Sequence, residues 1–98
     1  GDFHPLTPPS LGNDAWLAWQ YDRPEAGSGV VQAFRRPAST QSSARFTLHG
    51  LVPDATYEVE NLDGGKGSRT GRALMEEGLE VTLDAAPAAA VIAYRREP

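Results

Sequence analysis

Residues Asp14 to Arg36 read DAWLAWQYDRPEAGSGVVQAFRR. Two runs of β character flank a turn. In Trp16–Asp22, Leu17, Trp19 and Tyr21 fall on one face, while Trp16, Ala18, Gln20 and Asp22 fall on the other. Successive residues of an extended chain point to opposite sides, so this is a strand pattern. Arg23 to Gly29 is the turn, punctuated by Pro24, Gly27 and Gly29. A second strand follows from Val30 to Arg35.

The rest of the chain repeats the scheme. Residues 4 to 14 read as irregular, because Pro5, Pro8 and Pro9 interrupt regular ladders and Ser10, Gly12 and Asn13 form turns. Arg36 to Ala44 is a polar, Ser-rich loop. A third strand, Arg45 to Leu48, directs Phe46 and Leu48 inward. Gly50 to Asp54 forms a corner in which Pro53 presets φ and Asp54 bonds its own backbone. The fourth strand, Thr56 to Leu62, alternates Tyr57 and Val59 with Glu58 and Glu60. Asp63 to Gly71 is expected to be a mobile loop, and Arg72 to Glu77 one helical turn bracketed by Gly71 and Gly78. The fifth strand is Leu79 to Leu83. The sixth, Ala89 to Arg95, is apolar on both faces, which predicts a central strand covered by the core on one side and by a second layer on the other. Two further short strands fit near residues 4 to 7 and 69 to 75. Six to eight short strands with almost no helix describe an all-β antiparallel sandwich or barrel.

Size and charge narrow the function. Ninety-eight residues hold one domain and leave no room for a (β/α)8 barrel, which needs about 250 residues. Cysteine is absent, so disulfides, thiolate metal sites and a Cys nucleophile are excluded. The net charge of −4 argues against a nucleic-acid partner. No apolar run reaches membrane-spanning length, so no membrane partner is expected. The start, Gly1-Asp2-Phe3-His4-Pro5, carries no initiator Met, basic region or apolar run of a signal peptide. It reads as a cut inside a longer protein or as an end left by processing, with cytoplasm as the default location.

Motifs of catalysis and cofactor binding are not found. His4 and His49 stand far apart in sequence without a third ligand at metal spacing, and read as solvated or capping side chains. Ser28 and Ser68 lie in Gly-rich turns but not in a G-x-S-x-G elbow. Gly65-Lys66-Gly67 lacks the spacing of a phosphate loop. Glu58 and Glu60 share one strand face, with backbones about 6.7 Å apart by strand rise. That face is the polar one, and a carboxylic acid needs a desolvated pocket to keep its proton at neutral pH. The pair therefore reads as two solvated glutamates. No cofactor and no metal are expected. The aromatics offer another function. Trp16 falls opposite Trp19 and Tyr21, so one tryptophan faces away from the core side. There it meets a second layer, meets a neighbouring domain, or forms an exposed platform of the kind on which carbohydrate-binding modules stack sugar rings.

Four blocks taken together are more specific. They are Asp14 to Arg36 as quoted, LHGLVPDATYEV from Leu48 to Val59, TGRALMEEGLEVTL from Thr70 to Leu83, and AAVIAYR from Ala89 to Arg95. In this order and spacing the chain resembles the C-terminal β-sandwich domain of glycoside hydrolase family 36 α-galactosidases. The resemblance runs from about Phe3 to Arg95. It implies a small Greek-key-like antiparallel β-sandwich, residues 15–98, preceded by a lead-in, residues 1–14, from a catalytic barrel that is not in this sequence. Phe3 to Leu6 resemble the strand leading out of that barrel. In the family an N-terminal sandwich comes first, and the barrel carries the aspartate nucleophile and the aspartate acid/base, so no residue here inherits a catalytic role. The implied parent is a retaining α-galactosidase acting on α-galactosides. The implied partner is its own catalytic barrel, with homo-oligomer contacts as a further role. The barrel-facing side is expected to draw on whichever of Trp16, Leu74 and Met75 points away from the sandwich core, and Trp16, Trp19 and Tyr21 are the candidates for sugar stacking.

Overall fold

The computed structural model describes residues 1–8, 14–62 and 64–98. The expected turn at Pro9, Ser10, Gly12 and Asn13 lies outside them, as does Asp63 at the start of the expected mobile loop. Among the described residues, eight strands and one short helix follow in the order β1 (Asp2–Pro5), β2 (Trp16–Arg23), β3 (Ser28–Arg35), β4 (Ser43–Phe46), β5 (Thr56–Asn61), β6 (Lys66–Thr70), α1 (Gly71–Glu76), β7 (Leu79–Thr82) and β8 (Ala88–Arg96). Pro24–Ala26 adds a single 3-10 turn between β2 and β3. The strands form an antiparallel six-stranded sheet, β1-β2-β3-β8-β5-β6, and a two-stranded sheet, β4-β7. This is the small β-sandwich that the strand spacing and the resemblance both imply.

The core lies between the two sheets. The large sheet contributes Trp16, Ala18, Val31, Ala33, Tyr57, Ala90, Ile92 and Tyr94; the small one contributes Phe46, Leu79 and Val81. Leu48, Leu51 and the fully buried Leu74 of α1 close the cluster. Burying a leucine of this kind contributes about 2–3 kcal/mol.

Strand β8 takes the central position, pairing with β3 on one side and β5 on the other. Its inward residues Ala90, Ile92 and Tyr94 are buried as expected. The expected second layer over its other face is not formed by the described residues: Ala89 is exposed, and Val91 and Ala93 are only half-buried. The small sheet has two strands and covers one side of the large sheet only.

Two segments read mainly as irregular or loop are strands, overlapping the two further short strands fitted near residues 4 to 7 and 69 to 75. Residues 2–5, part of the expected lead-in, pair with β2 from Asp2 opposite Asp22 to Pro5 opposite Trp19 and form an edge of the sheet. Lys66–Thr70, expected within a mobile loop, is β6, which pairs with β5 along its length. Its sequence, KGSRT, has no apolar alternation, so its place rests on backbone hydrogen bonds and on charge pairing. The helical turn is α1, shifted by one residue. Thr70 caps it, its Oγ1 accepting from the Ala73 amide at 3.1 Å.

Candidate functional site

Two features of β2 decide what the surface can do. Its inward face holds Trp16, Ala18, Gln20 and Asp22, all buried; its outward face holds Leu17, Trp19 and Tyr21. Gln20 and Asp22 tolerate burial because they belong to a hydrogen-bonded network. Gln20 Nε2 donates to Tyr94 Oη (2.7 Å) and to the His49 carbonyl (2.9 Å), while Gln20 Oε1 accepts from the His49 amide (2.8 Å). Tyr94 Oη donates to Asp22 Oδ1 at 2.5 Å, a length typical of a hydroxyl bound to a carboxylate. Asp22 Oδ2 has no protein partner and faces Gly50, where a Cβ would sit 2.8 Å away. Gly50 also adopts φ 76°, a left-handed conformation suited to glycine. Burial, reinforced by the bond to Asp22, pushes the Tyr94 hydroxyl far above its ordinary pKa. Sequence reading missed this network, because nothing near Gln20 in the chain announces Tyr94.

The candidate residues separate accordingly. Trp16 is a core residue, its ring tilted against Phe46 at a centroid distance of 6.1 Å and its Nε1 donating to the Gln41 carbonyl at 2.9 Å. Leu74 is fully buried, and Met75 is half-buried against the same core. Neither Trp16 nor Leu74 points away from the core, which corrects their place among the barrel-facing candidates. The physical reason is the network just described: it lets the more polar face of β2 turn inward and sends the more apolar face out.

Trp19 and Tyr21 stand on that outer face. The register aligns Phe3, Tyr21, Val30 and Ala93 in one row across β1, β2, β3 and β8. A second row aligns Pro5, Trp19, Gln32 and Val91, and a third Leu17, Phe34 and Ala89. Trp19 is held by a hydrogen bond from Nε1 to Gln32 Oε1 (2.7 Å) and by the Phe34 ring at 5.2 Å. Phe3 is 57% exposed and Tyr21 47%. Among the described residues these rows contain no charged side chain. Two hollows interrupt the face. One, of about 310 Å³, is lined by Phe3, Pro5, Leu17 and Trp19; the other, of about 470 Å³, by Leu17, Phe34, Pro87 and Ala89, with Arg35 and Arg36 at its border.

The same sheet turns polar toward β5 and β6. Glu58 and Glu60 border a groove of about 420 Å³ with Lys66 and Arg95. Glu58 Oε1 lies 3.5 Å from Arg95 Nη2 and 3.8 Å from Lys66 Nζ. The glutamate is thus engaged in two surface ion pairs. His4 and His49, distant in sequence, are stacked at 4.9 Å with rings 20° from parallel, so neither is an isolated surface side chain. Among the described residues no group of three or more His, Cys, Asp or Glu side chains is placed to hold a metal ion, and no helix is long and apolar enough to cross a membrane.

Comparison with known proteins gives a consistent result. The sequence pattern described as the glycosyl hydrolase family 36 C-terminal domain matches residues 16–94. The chain superposes on the galactosidase domain of an alpha-galactosidase–sucrose kinase, AgaSK, with TM-score 0.75 and 25% identity, over 97% of this chain and 13% of that one. On the GH36 alpha-galactosidase AgaB from Geobacillus stearothermophilus the TM-score is 0.78 at 25% identity, again over 97% of this chain and 13% of the other. The alpha-galactosidase from Lactobacillus brevis shares the fold, with TM-score 0.76 at 15% identity over 98% and 14% of the respective chains. No curated protein sequence matches the chain. The chain thus spans 13–14% of the length of these solved structures.

Proposed function

The chain belongs to the glycosyl hydrolase family 36 C-terminal domain family, and from that premise we propose that it is the non-catalytic accessory domain of an α-galactosidase-like, retaining glycoside hydrolase. Its work is to pack against the catalytic barrel and stabilise it, with contacts between copies as a secondary role. α-Galactosides are the substrates of the whole enzyme and meet the barrel rather than this sandwich.

The observation that carries the reading is the disposition of the carboxylates. A glycosidase needs two carboxyl groups flanking one open site, one of them able to hold a proton. Glu58 is held between two cations on the sheet surface, Glu60 is exposed beside it, and Asp22 is sealed in the core under Tyr94. None of these arrangements supplies an acid and a nucleophile around a sugar.

The test uses the intact polypeptide that carries this domain. It is expected to hydrolyse an aryl α-galactoside, and a Glu58→Gln/Glu60→Gln variant is expected to keep kcat/KM within about twofold, far from the hundredfold or greater loss that follows removal of a general acid. A hundredfold loss of kcat in that variant, with folding intact by circular dichroism, would overturn the accessory role.

A further inference from the structure

We propose that the outer face of the six-stranded sheet, over β1, β2, β3 and β8, is the seat on which the catalytic part of the same polypeptide docks. This rests on reading the chain as the appendage of a larger hydrolase, and it assigns the seam to named residues: Phe3, Leu17, Trp19, Tyr21, Phe34 and Val91.

Three observations favour that occupant. The first is composition. The three rows across these strands hold aromatic, aliphatic and amide side chains without a charge. Four strands about 4.8 Å apart and roughly 20 Å long give a footprint of about 400 Å², the size at which a contiguous apolar patch marks an interaction site. The hollows on either side of Leu17 are shaped to take projecting side chains.

The second is area. Counting both partners, about 800 Å² would be buried, within the range of interfaces between domains of one chain but below the ~1,200 Å² of a stable complex between free proteins. A tethered neighbour needs less, because the linker supplies an effective concentration in the millimolar range. A second copy has no such help.

The third is position. The family is one of C-terminal domains, and this chain matches only 13% of each enzyme AgaSK and AgaB, so in such an enzyme the bulk of the polypeptide precedes β1. A Cβ at Gly1 would lie 2.7 Å from Tyr21 Cε1. Gly1 therefore sits beside the Tyr21 ring, so a chain entering the domain from such an enzyme would arrive at the edge of the aromatic face.

Hydroxyl-radical footprinting of the intact polypeptide, read by mass spectrometry, tests the assignment. Val52, 45% exposed in the corner between β4 and β5, is the internal reference. After correction for intrinsic reactivity, Phe3, Tyr21 and Phe34 are expected to react about tenfold more slowly than Val52, as in a water-excluding interface core. That protection should be the same at high and low protein concentration, and with or without galactose. Protection that disappears on dilution would assign the face to a second copy and overturn the proposal. Protection that appears only with galactose would make it a sugar platform and overturn it equally. Full reactivity under all conditions would refute it outright. Hydrolysis of the aryl α-galactoside is scored separately: an inactive polypeptide with a protected face removes the glycosidase reading and leaves the seam, whereas an active one with a reactive face does the reverse.

Discussion

Tyr94 concentrates the physical chemistry of this sandwich in one side chain. It closes the Gln20–Asp22 network, and its hydroxyl is held neutral by burial and by Asp22. In the unfolded chain a tyrosine ionises near pH 10. The folded-state pKa is raised, so the unfolded state releases its proton first, and stability is full below about pH 10 and falls above it by up to about 1.4 kcal/mol per pH unit. Tyr94→Phe should remove one proton from that alkaline slope while lowering stability at neutral pH by about 2–4 kcal/mol, since Asp22 loses its partner in the core. Thermal unfolding of the intact polypeptide between pH 7 and about pH 11, followed at this domain, measures both. Gly29 makes room for the same ring: a Cβ there would collide with Tyr94 Oη and Cζ. Gly29→Ala is accordingly expected to cost about 2–4 kcal/mol, read as a lower unfolding midpoint of the domain. Trp16 and Trp19 show what was legible at this scale. Alternation alone places them on opposite faces. It does not say which face is the core, because Leu17, Trp19 and Tyr21 are more apolar than Ala18, Gln20 and Asp22. The choice is made by Tyr94, 72 positions downstream of Asp22, and no local pattern carries that information.

At the level of elements, strands with apolar alternation were readable in place, whereas those held by backbone alone were legible only as short strands fitting near residues 4 to 7 and 69 to 75. Tyr57 and Val59 mark β5, Leu79 and Val81 mark β7, and Ala90, Ile92 and Tyr94 mark β8. β6 carries Lys66, Gly67, Ser68, Arg69 and Thr70, a composition shared with solvated loops; β5 makes it a strand by offering an unpaired edge. β1 was obscured by Pro5, which sits where an edge strand tolerates it. The helix was readable from its brackets, Gly71 and Gly78, and its cap is testable. Thr70→Ala removes the acceptor for the Ala73 amide and should cost about 1 kcal/mol, whereas Thr70→Ser should retain most of it. For a domain of this size about 1 kcal/mol corresponds to a midpoint roughly 4–8 °C lower, accessible to scanning calorimetry.

For the whole molecule, the sandwich follows from strand spacing, but its asymmetry does not. Six strands face two, so one side of the large sheet has no cover within the described residues. The apolar character of both faces of β8 was visible in Ala89 to Arg95, but among the described residues nothing covers the outer one. Phe34→Glu places a charge on that face and should lower the unfolding midpoint of the intact polypeptide, a loss of about 1–3 kcal/mol. Val52→Glu, at a site 45% exposed, should stay within about 0.5 kcal/mol. Equal effects of the two substitutions would mean that the outer face is as wet in the intact protein as the corner carrying Val52.

The central position of β8 has a consequence for biosynthesis. Until residues 88–96 leave the ribosome, β1-β2-β3 and β5-β6 have no common neighbour, and the large sheet exists as two ribbons with unsatisfied inner edges. Earlier parts of such an enzyme can mature during translation, whereas this domain waits for its last strand. A premature stop shortly before Ala88 would therefore release a product exposing two sticky sheet edges, a form that quality-control proteases and aggregation would remove.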